Sequence, residues 1–161
     1  MDKLTPEERS RNMSRIPSKD TKPEMIVRRA LHALGFRYRL HGKDLPGKPD
    51  LVFPKYRAVI FVQGCFWHRH EGCRWATVPE SHRDYWVPKL ARNAERDARE
   101  REALLASGWR VLWIWECALK HKADREAIGE KAAAWLRSDS RFGEISAPAP
   151  EAPKAGPGTP P

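Results

Sequence analysis

The sequence predicts a small α/β domain in which helices cover both faces of one mixed central sheet. Segments with helical and strand-like patterns follow one another in the order helix, three strands, loop, helix, strand, helix. The segment 58–62, "AVIFV", is apolar on both faces, which is typical of a central strand. The 161-residue chain contains no apolar run of about eighteen residues, so we predict no membrane-spanning segment.

The predicted elements have recognisable boundaries. The first helix covers 21–35, "TKPEMIVRRALHALG", with Thr21 as N-cap, Glu24 completing a capping box and Gly35 ending the helix. Strands are predicted at 36–40, 50–53 and 58–62, followed by a loop over 63–85. A long helix from Trp86 to about 107, a strand at 109–115 and a helix at 124–136 complete the domain.

Composition divides the chain into three parts. Residues 1–20 are charged and weakly patterned and are predicted to form an N-terminal arm; residues 21–140 form the domain. Residues 141–161 are predicted to be a disordered tail, because the last sixteen, "SAPAPEAPKAGPGTPP", cannot form a core. The N-terminus lacks the apolar core of a signal peptide, which predicts a cytoplasmic protein.

The charge of the chain indicates a polyanionic partner. Thirty basic and 21 acidic residues give a net charge of +9. Nucleic acid is the commonest partner of such a protein, and the seven Trp residues favour it because aromatic side chains near basic ones often stack on bases. The alternative is a basic protein without such a partner.

The three cysteines and a histidine suggest a zinc site. Cys65, His70 and Cys73 have the spacing Cys-x4-His-x2-Cys, and Cys117 lies just after the strand 109–115. Three thiolates and one imidazole form the closed tetrahedral shell of a structural zinc site. In the alternative, Cys117 is an inert buried thiol. His68 is a competing ligand for His70.

A possible acidic site lies at the start of one strand and the end of the next. Pro49 and Asp50 begin the strand 50–53, and the following strand ends in Val62 and Gln63. Many nucleases place Pro-Asp at such a strand start, with an acid-x-Lys on the adjacent strand, to hold Mg²⁺ against the scissile phosphate. Here Phe61 and Gln63 occupy the second and third positions, so this match alone also fits a simple turn.

Two more acids are candidates for this site. Trp86, Leu90, Asn93 and Asp97 share one helix face, so Asn93 and Asp97 interrupt the stripe that should be buried. The other charges of "ERDARERE" fit a solvated face. Glu24 could be explained by helix capping alone.

Several ordered motifs together resemble one family. They are "RSRNMSRI", "DTKPE", "LPGKPDLVF", "GCFWHRHEGC", "VPES…YW", "KLARNAERD" and "GWRVLWIWECAL", and they span roughly residues 9–119. The set resembles the very short patch repair endonucleases, the Vsr family. The resemblance implies a fold like that of restriction endonucleases of the PD-(D/E)xK type, with a structural zinc. It implies strand-specific nicking 5′ of the thymine in T:G mismatches that arise from deamination of 5-methylcytosine, in the context CT(A/T)GG.

The resemblance also implies roles for individual residues. Asp50 would bridge two catalytic Mg²⁺ ions, and Val62 would supply a backbone carbonyl. His68 would transfer a proton or contact the phosphate, and Glu24 and Asp97 would hold metal-bound waters. The zinc ligands would be Cys65, His70, Cys73 and Cys117.

The implied partner is double-stranded DNA carrying a T:G mismatch. Phe66, Trp67 and Trp86 would wedge into the duplex beside the mismatch, and the segment around Met13 would reach the minor groove. Asn93 is a further candidate for DNA contact. Mismatch-repair proteins and a DNA polymerase are implied as pathway partners, with a monomeric enzyme acting at the nucleoid.

Two departures from the family pattern limit what carries over. Gln63 stands where the family usually has a histidine, and an amide can hydrogen-bond but cannot shuttle a proton. The zinc loop has one extra residue, in "HRHEGC". A DNA-binding module without catalysis and a restriction-type nuclease with another recognition site therefore stay as alternatives.

Overall fold

One mixed sheet organises residues 20–147, the part of the chain that the computed structural model describes. Its strands are β1 (Arg39–Leu40), β2 (Leu51–Phe53), β3 (Ala58–Gln63), β4 (Arg110–Trp115) and β5 (Phe142–Ile145), in this spatial order. The first three strands pair antiparallel, whereas β3, β4 and β5 run parallel. The predicted mixed α/β architecture is confirmed.

Three helices cover the two faces of the sheet: α1 (Lys22–Ala33), α2 (Arg83–Ala106) and α3 (Lys122–Arg137). Alternate residues of a strand point to opposite faces. Ile60 and Leu112 accordingly pack with buried residues of α1 and α3, whereas Val59 and Val111 pack with Leu104 of α2. None of the described helices is long and apolar enough to cross a membrane.

The start of α1 follows the sequence prediction, with one difference. The Glu24 amide donates to Thr21 Oγ1 at 3.3 Å, so Thr21 is the N-cap. The Glu24 carboxylate accepts from the Asp20 amide at 3.2 Å rather than from Thr21. The helix ends before Gly35, which has a φ of +94°. The Glu24 side chain therefore caps the amide of Asp20, one residue before Thr21, the residue that a capping box predicts.

Strand β5 corrects the predicted limit of the domain. The predicted domain ended at residue 140, with 141–161 in the tail, and this prediction is wrong for residues 142–145. Val111 pairs with Phe142, and the Phe142 ring lies 5.1 Å from that of Trp113. The strand is four residues long and depends on a partner about thirty positions earlier, so no local pattern marks it.

Other boundaries differ by a few residues. α2 begins at Arg83, three residues before its predicted start, and β1 is limited to residues 39–40 of the predicted strand 36–40. Met13 and almost all of the predicted arm lie outside the described residues, as do residues 148–161.

Candidate active site and metal centre

The parallel pairing of β3 and β4 brings the cysteines together. Gln63 pairs with Trp115 at the ends of these strands, and Cys65 and Cys117 each follow two residues later. The Cys117 amide donates to Cys65 Sγ at 3.3 Å, and His70 Nδ1 lies 3.7 Å from Cys117 Sγ. Ligand atoms of Cys65, His70, Cys73 and Cys117 all lie within 4.8 Å of one another.

This cluster has the donor set of a metal site. All three cysteines are free thiols, and burial raises the pKa of Cys65 and of Cys117. Burial lowers the pKa of His70, opposed by the charge of Glu144. Neutral imidazole and thiolate are the forms that bind metals, and a cation would offset the cost of buried thiolates. Three sulfurs and one nitrogen fit zinc. Of the two histidines considered, His70 lies in the cluster.

Asp50 lies at the start of β2, against the end of β3. Its Oδ2 accepts a hydrogen bond from the Val62 amide at 2.7 Å. Burial raises the pKa of Asp50 to about 7, against the lowering effect of that hydrogen bond, and the nearby Glu24 raises it further. The tertiary structure therefore brings together Asp50, the Val62 backbone and Glu24, three groups to which the resemblance assigned roles.

Glu24 is held by three groups from outside its own turn. It is only 1% exposed. Its carboxylate accepts from the Asp20 amide and from Arg28 Nη1 at 3.2 Å, and lies 3.1 Å from His41 Nε2. The His41 amide also donates to the Asp50 carbonyl at 3.0 Å. His41 thus connects the segments that carry Glu24 and Asp50. Its position in a turn-rich stretch of the sequence did not indicate this role.

Helix α2 holds the loop that follows β3. His68 Nδ1 lies 2.5 Å from Asp97 Oδ2, and Asn93 Nδ2 donates to the Trp67 carbonyl at 3.1 Å. The prediction that Asn93 and Asp97 lie on the inward face of this helix, with the buried Trp86 and Leu90, is confirmed. Asp97 acts as the partner of His68, and Asn93 supports the backbone beside the aromatic residues.

Three aromatic side chains form a compact cluster next to this loop. Phe66, Trp67 and Trp86 meet edge to face, with ring centroids 5.1–5.9 Å apart. Phe66 and Trp67 are partly exposed, whereas Trp86 is 5% exposed. In this conformation Phe66 and Trp67 are accessible to a partner, and Trp86 supports them from behind.

Gln63 is buried with both polar side-chain atoms unpaired in the described structure. It is 3% exposed, and neither Oε1 nor Nε2 has a hydrogen-bond partner. It lines a cavity of about 170 Å³ together with His68 and Asp97. A buried unpaired amide carries a desolvation cost that ordered water in such a polar cavity can offset.

Glu100 also lines this cavity and was missed by sequence reasoning. Burial raises its pKa, opposed by the charge of Arg96. Gly47 has a φ of +77°, a conformation that favours glycine, and a Cβ there would lie 2.6 Å from Glu100 Oε2. Glu100 lies three residues after Asp97 on α2, and this spacing was the signal that could have indicated Glu100 as a site residue.

Comparison with known proteins assigns the chain to a family. The family model "DNA mismatch endonuclease Vsr" matches residues 1–74. The type II nicking enzyme V.XorIIP of Xanthomonas oryzae pv. oryzae is 52% identical over 126 residues, or 78% of this chain and 92% of that protein. The nicking enzyme V.NmeAIP of Neisseria meningitidis is 45% identical over 122 residues, or 76% and 86%.

A third relative carries the family's own name. The DNA mismatch endonuclease Vsr of Escherichia coli K12 is 40% identical over 139 residues, which is 85% of this chain and 88% of that protein. Identities at this level over most of both chains, together with the family match, leave one conclusion. The chain belongs to the DNA mismatch endonuclease Vsr family.

Proposed function

We propose that this protein is a Mg²⁺-dependent endonuclease that nicks one DNA strand 5′ of the thymine in a T:G mismatch and so initiates very short patch repair. The observation that carries the proposal is the state of Asp50. Asp50 is partly buried beside the buried Glu24, and no cationic side chain of the described residues is among the groups that shift its pKa. Two neighbouring acids shielded from solvent favour a bound cation, which relieves both desolvation and repulsion.

The acids have different roles in this proposal. Asp50 and the Val62 carbonyl would hold Mg²⁺. Glu24 orients coordinated water, and Arg28 and His41 fix its carboxylate in position. Bound Mg²⁺ makes a water more acidic and stabilises charge on the phosphate and on the leaving 3′ oxygen.

His68 supplies proton transfer or phosphate contact. An ionised carboxylate can only accept hydrogen bonds, so the proton between His68 and Asp97 resides on Nδ1. This tautomer leaves Nε2 to accept a proton or to bind a phosphate oxygen once protonated. The resemblance implied that Asp97 holds a metal-bound water. Because Oδ2 contacts His68, Asp97 orients that histidine and can reach such a water only through Oδ1.

The aromatic cluster accounts for mismatch selection. Phe66 and Trp67 insert between base pairs, with Trp86 packed behind them. Unstacking a base step costs a few kcal/mol, and a T:G wobble resists it less than a matched pair does. Cys65, His70, Cys73 and Cys117 would hold a zinc ion that keeps this loop in place, and the net charge of +9 favours the DNA backbone.

Gln63 is the observation that favours a second candidate, a mismatch-binding protein without catalysis. A glutamine cannot move a proton, and this one is buried. A restriction-type nuclease with another recognition site is the third possibility. The main proposal includes a monomeric protein that acts at the nucleoid in the cytoplasm. Its pathway partners would be mismatch-repair proteins and a DNA polymerase.

The decisive experiment is a nicking assay. Duplexes carrying T:G, T:A or C:G in the CT(A/T)GG context are incubated with the protein and Mg²⁺ or with EDTA, and the cut is mapped on each strand. We expect one cut, 5′ of the mismatched thymine, that requires Mg²⁺. Binding to T:G without any cut would select the non-catalytic candidate, and double-strand cleavage of plasmid DNA would select the restriction-type nuclease.

Asp50→Ala is the matching variant, with the exposed Asp44→Ala as its control. We expect Asp50→Ala to abolish nicking without changing the zinc content, and Asp44→Ala to nick normally. Residual Mg²⁺-dependent nicking by Asp50→Ala at more than a few per cent of the wild-type rate would refute the assignment of Asp50.

A further inference from the structure

The last described strand ends beside the cysteine and histidine cluster. After β5, the Ala147 amide donates to Cys117 Sγ at 3.3 Å. Within β5, Glu144 Oε1 accepts from Trp115 Nε1 at 3.3 Å. The Trp115 ring in turn stacks on the His70 ring, with centroids 4.0 Å apart and planes 5° from parallel. Two of the four candidate metal ligands are therefore linked to this segment: Cys117 directly, and His70 through Trp115.

These contacts are of the kind that tunes a metal site. An N–H donor beside a thiolate stabilises its negative charge, and outer groups that fix the ring of a metal-bound histidine set its orientation. Glu144 is also close enough to His70 for its charge to act on the imidazole. His70, Trp115 and Glu144 line one depression of the surface.

Strand pairing alone does not explain Glu144. A β-strand needs no acid at this position, and the Glu144 residue is largely solvent-exposed on an edge strand. Trp115, in contrast, is only 4% exposed, and Glu144 is the acceptor that satisfies its indole N–H. The interaction thus fixes the plane of the ring against which His70 stacks.

We propose that β5 and the residues up to Ala147 form an outer shell of the metal centre, in which Glu144, acting through Trp115, orients His70 and the Ala147 amide supports the Cys117 thiolate. Glu144 and Ala147 are positioning residues and do not bind the metal. The inference rests on the zinc site of the proposed function. It assigns a role to a segment that the sequence had placed in the tail.

The test measures zinc directly. Purified full-length wild type is analysed for zinc by mass spectrometry, and transfer of its zinc to the chromophoric chelator 4-(2-pyridylazo)resorcinol is timed. We expect one zinc per chain and a slow transfer. Glu144→Ala and Ala147→Pro, which removes the N–H, should each accelerate transfer by about tenfold, at the low end of outer-shell effects because Glu144 is exposed.

Matched variants separate this role from general loosening of the fold. Glu144→Gln keeps an acceptor for Trp115 and should stay within about threefold of wild type, and Ala147→Gly keeps the N–H and should do the same. Glu130→Ala removes an exposed acid from α3 and should have no effect. Trp115→Phe keeps an aromatic ring but loses the N–H, so adding Glu144→Ala to it should accelerate transfer no further.

The outcomes are distinguishable. Wild type without zinc would overturn the proposed zinc site itself. Wild type with one zinc, combined with wild-type transfer rates in Glu144→Ala and Ala147→Pro, would overturn the outer shell and leave the zinc site standing. If Ala147→Pro fails to fold, the comparison of Glu144→Ala with Glu144→Gln decides, since equal rates in these two would also overturn the role of Glu144.

Discussion

His68 and Asp97 form a 2.5 Å hydrogen bond that joins the loop after β3 to helix α2. The two residues are 29 positions apart, and the contact needs both the loop conformation and the inward face of the helix. It fixes the tautomer of His68 and directs Nε2 away from Asp97. The pair is therefore the part of the site whose disruption should affect proton transfer most directly.

Asp97→Asn should lower the single-turnover nicking rate by about 10²–10⁴, with T:G duplex binding unchanged within a few-fold. An asparagine amide would donate to Nδ1 and force the proton to Nε2, which is the wrong tautomer. Glu95→Gln, on the exposed face of the same helix, is the control and should nick at the wild-type rate. An Asp97→Asn rate within threefold of wild type would show that His68 acts without this partner.

The metal-free protein should lose stability as pH rises from about 4 to 7. The folded state holds a proton on Asp50 up to about pH 7, whereas the unfolded chain releases it near 3.8. The folded state thus binds more protons in this window, and the free energy of unfolding falls by at most about 1.4 kcal/mol per pH unit. Urea unfolding at pH 5, 6, 7 and 8 in Mg²⁺-free buffer measures this.

Asp50→Asn supplies the comparison for that pH series. Its amide keeps an acceptor for the Val62 amide but does not titrate, so its unfolding free energy should vary less across the window and exceed that of wild type at pH 8. Added Mg²⁺ should restore stability to wild type and leave Asp50→Asn unaffected. Parallel pH profiles for the two proteins would contradict the burial of an ionisable group at this position.

Gln63→Leu should raise the free energy of unfolding by about 1–3 kcal/mol. The change removes two unpaired buried polar atoms at nearly constant volume. Gln63→Ala removes the same atoms but enlarges the cavity, so it should not stabilise the fold. Urea unfolding of the three proteins decides, and destabilisation by Gln63→Leu would mean that bound water satisfies the amide.

The aromatic residues should separate into two classes. Trp86→Ala should lower the free energy of unfolding by about 3–5 kcal/mol, since this side chain is buried. Trp67→Ala should cost much less stability but lose most of the preference for T:G over T:A duplexes. Fluorescence of 2-aminopurine placed beside the mismatch reports insertion, and an undiminished signal with Trp67→Ala would exclude Trp67 from the wedge.

Local patterns were sufficient where the structure depends on near neighbours. The Thr21 cap, the helix stop at Gly35 and the inward face that carries Asn93 and Asp97 follow from spacing within one or two helical turns. Strand β5 was missed because it forms only against β4. The contact of Glu24 with His41, and the proximity of Glu100 to Gly47, were equally beyond local spacing.

The sequence by itself determined the class of the fold, the set of candidate metal ligands and, through ordered motifs, the family. These depend on residue type and order along the chain. The family motifs favoured His70 over His68, and the structure places His70 with the cysteines. Only the tertiary structure decided that Asp97 partners His68, and that Gln63 is buried without a partner among the described residues. The reason is physical: strand pairing sets which residues meet across the sheet, and burial then sets which of their polar groups need a partner.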